Sequence, residues 1–350
     1  MSGSSRSRRL LFAAMTTLAV FIAMEAGLRI IKFHYGRSQS YMNFNFPNPN
    51  ELHQVFEPDP FLLWRMRPGY EFGEGFGPLN SRGFRGPEFV LEKPPATLRI
   101  ACLGDSVTFG RPGASYPALL EKKLEEKLDR PVEAMNFGVP GYSSWQGMKL
   151  LPQVLDLYEP DMVIILFGWN DHWLAMGYSD KDQIVADTDA PVVLDLIRGL
   201  RVYQLLNGTM AQLRAGGEEP RVLRVSPGEY RYNLDAMIGA CRRSNAYPVL
   251  ATAASAISAA HVPEFLTHLE FIRAPEDLAE LHGRYNEIAR NTAAESNAPL
   301  IDLDLIFNSR DVTSLFEDPE NDLIHPNPQG YELVAESLAK ELTELISELK

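Results

Sequence analysis

Four short polar clusters in this 350-residue chain contain the residue types that acyl transfer requires. They are residues 104–110 (GDSVTFG), 136–141 (NFGVPG), 168–171 (GWND) and 322–326 (DLIHP). A serine hydroxyl is a weak nucleophile and needs a base within hydrogen-bond reach. We expect Ser106 to be the nucleophile and His325 to be its base.

The remaining polar groups of the clusters can complete such a site. Asp322 precedes His325 by three residues and can hold the second ring nitrogen, which fixes the tautomer and stabilises the imidazolium. A tetrahedral intermediate also needs donors aimed at its oxyanion. We expect these donors to be the backbone N–H of Ser106, the backbone N–H of Gly141 and the side-chain amide of Asn170.

Apolar runs and helical spacings alternate around the clusters and predict the elements that position them. Predicted strands cover 98–103, 132–137, 162–167, 248–252 and 299–302, and predicted helices cover 116–128, 146–158, 229–244, 275–296 and 329–349. This alternation indicates βαβ units and a mostly parallel sheet with helices on both faces. Because ligands bind at the carboxyl ends of such strands, the clusters should converge there.

The four clusters, in this order, resemble the signature blocks of the SGNH (GDSL-type) hydrolase superfamily. The resemblance extends over about residues 97–347, and its Ser, Gly, Asn and His map onto Ser106, Gly141, Asn170 and His325. It implies a flavodoxin-like three-layer α/β/α sandwich and ester hydrolysis without a cofactor. Gly141 is preferred to Gly138 because it follows Asn136 by the five residues usual in that family. Residues 80–86 (NSRGFRG) resemble a membrane-anchored bacterial subgroup.

Single residues of these clusters also have simpler interpretations. Ser106 alone could be a helix N-cap, residues 170–171 could form a turn, and His325 could be a surface histidine. Asp105 is expected to hold the turn rather than to react. Trp169 could be a core aromatic or a wall of the substrate pocket.

The N-terminus carries a candidate membrane segment. Three arginines, at positions 6, 8 and 9, precede an apolar stretch from residue 10 to residue 31, which Glu25 and Arg29 interrupt. About 20 apolar residues are needed to cross a bilayer. We favour an uncleaved anchor over a cleaved signal peptide, because residues 21–26 (FIAMEA) offer no good small-x-small cleavage site. The hydrolase domain would then be periplasmic or otherwise extracytoplasmic.

We therefore divide the chain into three parts. Residues 1–32 are the membrane anchor or signal segment, 33–96 an irregular extension, and 97–350 the α/β domain. An insertion at about 172–226 interrupts the α/β alternation, and it could be a lid over the site or an extra helix on the periphery.

Composition excludes several classes of partner and ligand. The net charge of −13 makes nucleic acid a poor partner, because phosphate binding needs a concentrated basic surface. Cys102 and Cys241 are too few for a disulfide scaffold and fit core positions better. The sequence predicts no metal site and no cofactor.

The expected function is that of a serine esterase acting on a small-molecule or carbohydrate ester, with O-acetyl groups on a carbohydrate as the first guess. One alternative is an O-acyltransferase of an exported polysaccharide, which would use the same triad. Another is a non-catalytic envelope scaffold or binding protein with the same fold.

Overall fold

A computed structural model describes most of the chain. The described residues are 3–33, 55–176, 179–183, 200–214, 221–257, 262–268, 271–318 and 321–348.

Five parallel strands form the central sheet. They are β3 (Leu98–Gly104), β4 (Val132–Gly138), β5 (Met162–Leu166), β8 (Tyr247–Ala251) and β9 (Leu300–Ile301). Their order in the sheet is β4-β3-β5-β8-β9, with every neighbouring pair parallel. Counted within this sheet the order is 2-1-3-4-5, which is the flavodoxin-like order. The predicted α/β class and mostly parallel sheet are confirmed.

Helices cover both faces of this sheet. The helices are α2 (Ser106–Phe109), α3 (Tyr116–Leu128), α4 (Ser144–Tyr158), α6 (Pro227–Arg243), α7 (Glu264–His268), α8 (Asp277–Ser296), α9 (Leu303–Asn308) and α10 (Pro328–Glu348). A 3-10 turn follows α9 at Val312–Leu315. Alternate residues of β3 enter different cores, because strand side chains point to opposite faces. Ile100 packs with α3 and α10, and Leu103 packs with α4, α6 and α8.

The N-terminal helix α1 spans Gly3–Ile30. Its segment Leu11–Ile30 is long and apolar enough to cross a membrane, with a mean hydropathy of 1.8 and none of it buried in the fold. Arg29 pairs with Glu25 at 2.7 Å, one helical turn away. A membrane anchor and a signal sequence both fit this helix.

The extension after α1 packs against the α/β domain. Its described part begins at residue 55 and forms an antiparallel ribbon of β1 (Phe56–Asp59) and β2 (Leu63–Met66). Phe56 and Trp64 are buried in the core beside α4. Tyr142 donates its hydroxyl proton to the Trp64 carbonyl at 2.7 Å, so this ribbon is fastened to the loop after β4.

The described ends of the predicted insertion are also anchored. Strand β6 (Leu174–Met176) pairs antiparallel with β7 (Arg221–Leu223), and a 3-10 turn covers Asp180–Asp182. Helix α5 (Arg201–Arg214) lies against α1, and the backbone N–H of Val202 donates to the Glu25 carboxylate at 3.0 Å. Residues 184–199 and 215–220, on which a lid would depend, lie outside the described residues.

Candidate active site

Strand β3 ends directly at the first polar cluster. Gly104 has no room for a side chain, because a Cβ there would lie 2.7 Å from the Leu166 carbonyl oxygen. Asp105 caps helix α2 by accepting the Val107 N–H at 2.8 Å. Ser106 is therefore the first residue of a helix that starts at the carboxyl edge of the sheet.

Three predicted site residues form one hydrogen-bonded chain. His325 Nε2 lies 2.8 Å from Ser106 Oγ, and His325 Nδ1 lies 3.0 Å from both carboxylate oxygens of Asp322. Asp322 Oδ1 also accepts the backbone N–H groups of Ile324 and His325, each at 3.1 Å. About a quarter of the His325 side chain remains exposed, so a substrate can reach it.

The environment of Asp322 favours its charged form. Burial opposes ionisation, but the hydrogen bond and charge of His325, with the two backbone N–H donors, lower the pKa of Asp322 below its usual value. Arg111 adds a further donor, with Nη1 at 3.0 Å from Asp322 Oδ2. Sequence reasoning missed Arg111, although it follows the Ser106 cluster directly.

Two of the donors predicted for the oxyanion are backbone N–H groups. Within the part of the chain that the structure describes, neither the Ser106 N–H nor the Gly141 N–H has a hydrogen-bond acceptor. Gly141 has φ +83 and lines the same cavity as Ser106. Gly138 does not line that cavity, and a Cβ there would lie 2.8 Å from Phe109 Cα.

The third predicted donor, Asn170, is held in place by its neighbours. Its Nδ2 donates to Asp105 Oδ2 at 3.2 Å and to the Tyr142 carbonyl at 3.0 Å. Burial raises the pKa of Asp105 to about 6, although the Val107 N–H, the His325 charge and Asn170 oppose the shift. These contacts agree with the expectation that Asp105 holds the turn.

A buried ion pair from the insertion supports the Gly141 loop. Arg224 Nη1 donates to the Gly141 carbonyl at 2.8 Å, and its Nη2 lies 2.8 Å from Asp180 Oδ2. Asp180 also accepts the Ser143 hydroxyl at 2.6 Å. The two charged side chains are 3% and 0% exposed. Nothing in the sequence signals this pair, since an isolated arginine and an isolated aspartate resemble surface residues.

Asp171 joins the second and third loops. It accepts the Ser144 N–H at 2.9 Å and also the Ser144 hydroxyl. Burial raises the pKa of Asp171 to about 7, which the Ser144 donors and Arg224 oppose and Asp180 reinforces.

A cavity of about 720 Å³ opens at the hydrogen-bonded chain. Ser106, Gly141, Asn170, Asp322 and His325 all line it, so the structure brings together every site residue that the sequence predicted. Most of the other lining residues are apolar, and two of them, Phe72 and Phe76, come from the extension before the α/β domain.

Trp169 belongs both to the core and to the cavity wall. It is 1% exposed and lines the cavity. Its Nε1 donates to the Ala254 carbonyl at 3.0 Å, and its ring stacks on His282 with centroids 4.2 Å apart. Both interpretations of the sequence therefore apply.

The described residues offer no group of three or more His, Cys, Asp or Glu side chains that could hold a metal ion. Cys102 and Cys241 are free and buried.

Comparison with known proteins adds a family and several relatives. The model of the GDSL-like lipase/acylhydrolase family matches residues 102–333. An arylesterase from Vibrio mimicus is 31% identical over 113 residues, which are 29% of this chain and 56% of that protein. The match therefore spans little more than half the length of that relative.

Two solved structures are similar to this chain in their three-dimensional structure. A lipase/acylhydrolase from Enterococcus faecalis has 20% identity and a TM-score of 0.45, over 70% of this chain and 94% of that one. An acetyl xylan esterase from Geobacillus stearothermophilus has 15% identity and a TM-score of 0.43, over 69% and 93%.

Proposed function

The chain belongs to the GDSL-like lipase/acylhydrolase family, and on that premise we propose that it is a serine esterase with Ser106 as its nucleophile. The observation that carries this proposal is the continuous hydrogen-bonded chain from Ser106 Oγ through His325 to Asp322. These three hydrogen-bonded residues line a cavity, where an ester carbonyl can approach the Ser106 hydroxyl.

The first step forms an acyl-enzyme. Ser106 Oγ attacks the ester carbonyl carbon while its proton passes to His325 Nε2, and the carbonyl oxygen becomes an oxyanion. The N–H groups of Ser106 and Gly141 would stabilise the oxyanion, and Asn170 would join them if its amide turns from the Tyr142 carbonyl. When the intermediate collapses, His325 returns the proton to the departing alcohol.

The second step restores the enzyme. Water attacks the acyl carbon and gives its proton to His325, and the new tetrahedral intermediate releases the acid as Ser106 Oγ takes that proton back. Asp322 stabilises the imidazolium in both steps without taking the proton.

We further propose that α1 anchors the chain in a membrane with the hydrolase domain outside the cytoplasm. The support is the length and apolar character of Leu11–Ile30, preceded by arginines at positions 6, 8 and 9, since a short basic tail tends to stay in the cytoplasm.

The test is hydrolysis of p-nitrophenyl acetate by the full-length chain in an ester-free detergent. Ser106→Ala and His325→Ala should each lower kcat by at least about 10³-fold, and Ser309→Ala, an exposed serine outside the cavity, should not. Full activity of Ser106→Ala would refute the proposal. Product release without a sugar acceptor would favour hydrolysis over acyl transfer, and inactivity of a well-folded wild type would favour the scaffold alternative.

A further inference from the structure

We propose that the ester bound here carries a large apolar group, and that Phe72 and Phe76, which precede the family-matched region, determine the size of that group. The inference rests on the proposed esterase function and names the substrate class of the same site. It differs from the O-acetyl carbohydrate that the sequence suggested.

The composition of the cavity is the first argument for a large apolar group. Its polar side chains are those of the proposed catalytic residues together with Arg111 and Asn321, and Arg111 is already bonded to Asp322. Its large side chains are aromatic and come from separate parts of the chain: Phe72, Phe76, Phe109, Trp169, Trp173 and Phe271. Among these described rings, Trp169 Nε1 is already bonded to Ala254 and only Trp173 Nε1 is without an acceptor. Most hydroxyl groups of a sugar would therefore lie against the rings without partners, at a considerable desolvation cost.

The size of the cavity is the second argument for a large apolar group. Its volume of about 720 Å³ is in the range of about 300–1,000 Å³ in which proteins enclose whole small molecules. An acetyl group would leave most of this space without contacts. An acyl chain of several methylenes, or an aryl group, would fill it with apolar surface.

Phe72 and Phe76 form a defined wall of this cavity. The Phe72 ring centroid lies 4.8 Å from that of Phe109, and the Phe76 ring stacks on Phe109 at 5.7 Å. Phe109 is the last residue of the helix that begins with Ser106. The extension therefore contacts the helix of the nucleophile directly.

The loop that carries the two rings is fastened at Gly75. Gly75 has φ +84, and its carbonyl accepts the Gly113 N–H at 2.8 Å. A Cβ on Gly75 would lie 2.9 Å from Pro112 Cβ, so a side chain at this position would push the loop away. The loop residues between the two rings thus hold both of them against the cavity.

Arg85, which does not line the cavity, packs against the Phe76 ring of this wall. Its guanidinium carbon lies 5.1 Å from the Phe76 ring centroid and 5.4 Å from that of Phe109. Its Nη1 donates to the Phe109 carbonyl at 2.9 Å, and it is 9% exposed. The Phe76 and Phe109 rings are thus held by a cation–π arrangement, and Phe72 packs on Phe109.

The experiment measures kcat/KM for two homologous series with the full-length chain in detergent. One series varies the acyl chain of p-nitrophenyl esters from acetyl to octanoyl, and the other varies the alkyl group of acetate esters from ethyl to hexyl. In at least one series kcat/KM should rise about fourfold for each methylene that enters the cavity. The series that rises identifies whether the acyl or the alcohol group occupies it.

Variants of the wall test the assignment to Phe72 and Phe76. Phe72→Ala and Phe76→Ala should each lower the ratio of hexanoyl to acetyl turnover, or its alkyl counterpart, by about tenfold. Phe76→Trp should shorten the preferred chain. The matched control is Phe89→Ala, in the same extension, since Phe89 packs on Phe137 and Tyr158 and does not line this cavity.

Ser106-dependent turnover that is flat or falls with chain length in both series would overturn the inference and leave the esterase proposal standing. Chain-length profiles that stay unchanged in both alanine variants, with acetate turnover and melting temperature retained, would also overturn it. The absence of Ser106-dependent turnover of any ester would instead refute the esterase proposal itself.

Discussion

Arg111 Nη1 donates a hydrogen bond to Asp322 Oδ2 at 3.0 Å, so the carboxylate that holds His325 is itself held from the loop after the Ser106 helix. Arg111 Nε also lies 3.3 Å from Glu317 Oε2. Because Asp322 is bonded to His325 through both oxygens, the guanidinium restricts rotation of the carboxylate. The first loop of the sheet thus positions both ends of the proposed triad.

Arg111→Met should lower kcat for p-nitrophenyl acetate by about tenfold, because it removes a charge-assisted hydrogen bond from the orienting carboxylate. Since both side chains are about a quarter exposed, the effect should be far smaller than that of His325→Ala. Arg111→Lys, which keeps the charge, should recover part of the loss. A kcat within twofold of the wild type in Arg111→Met would contradict this role.

Arg224 and Asp180 form a buried ion pair, and their separate removal should be more harmful than their joint removal. Arg224→Met should cost about 3–5 kcal/mol of the free energy of unfolding, because it leaves Asp180 charged and buried without its partner. The variant carrying both Arg224→Met and Asp180→Leu should be more stable than either single variant. Urea unfolding in detergent measures these values, and additive losses in the double variant would refute the prediction.

The same pair should matter for catalysis through Gly141. Arg224 donates to the Gly141 carbonyl, and we expect this bond to orient the Gly141 N–H toward the oxyanion. Arg224→Lys cannot reproduce the fork of donors, so kcat should fall by about tenfold while KM for p-nitrophenyl acetate changes little. An equal rise in KM at constant kcat would indicate a role in substrate binding instead.

Asp171 should make the fold less stable as the pH rises from about 4 to about 7. Burial raises its pKa to about 7, against about 3.9 in an unfolded chain, so the folded protein binds this proton more tightly. The free energy of unfolding therefore falls through that interval and levels off above it. Asp105, whose pKa is raised to about 6, acts in the same direction.

Asp171→Asn should remove a large part of the difference in melting temperature between pH 4.5 and pH 7.5, because an amide does not titrate. The titration of Asp105 should account for part of the remaining difference. Glu126→Gln, an exposed carboxyl on α3, serves as the control and should retain the wild-type difference. If Asp171→Asn shows the same pH dependence as the wild type, the raised pKa of Asp171 is refuted.

Much of the sheet and of the site could be predicted because local patterns determine them. The predicted helix 116–128 agrees with α3 at both bounds, since leucines at helical spacing alternate with charges. Strand β5 reads as an uninterrupted apolar run because both its faces are buried. The residues that follow parallel strands converge whatever lies between them, so Ser106, Gly141 and Asn170 could be brought together from sequence alone. His325 does not directly follow a strand, and its assignment to the site rests on the chemistry of acyl transfer and on the resemblance of the four clusters to the family.

The supporting residues could not be predicted, because their roles depend on contacts between distant segments. Arg111 and Asp322 are 211 residues apart, and Arg224 and Gly141 are 83 apart. Phe72 lies in a stretch without periodicity, where no pattern indicates which side of the domain it covers. Helix α9, of six residues, is too short to display a helical period.

The most direct test of the central claim is labelling of the full-length chain with a fluorophosphonate probe, followed by peptide mapping. We predict a single modified residue, Ser106, with labelling lost in His325→Ala and retained in Ser309→Ala. This result would demonstrate a serine activated by the histidine 2.8 Å away. A folded wild-type protein that is not labelled at Ser106, or that is labelled equally well without His325, would contradict the account.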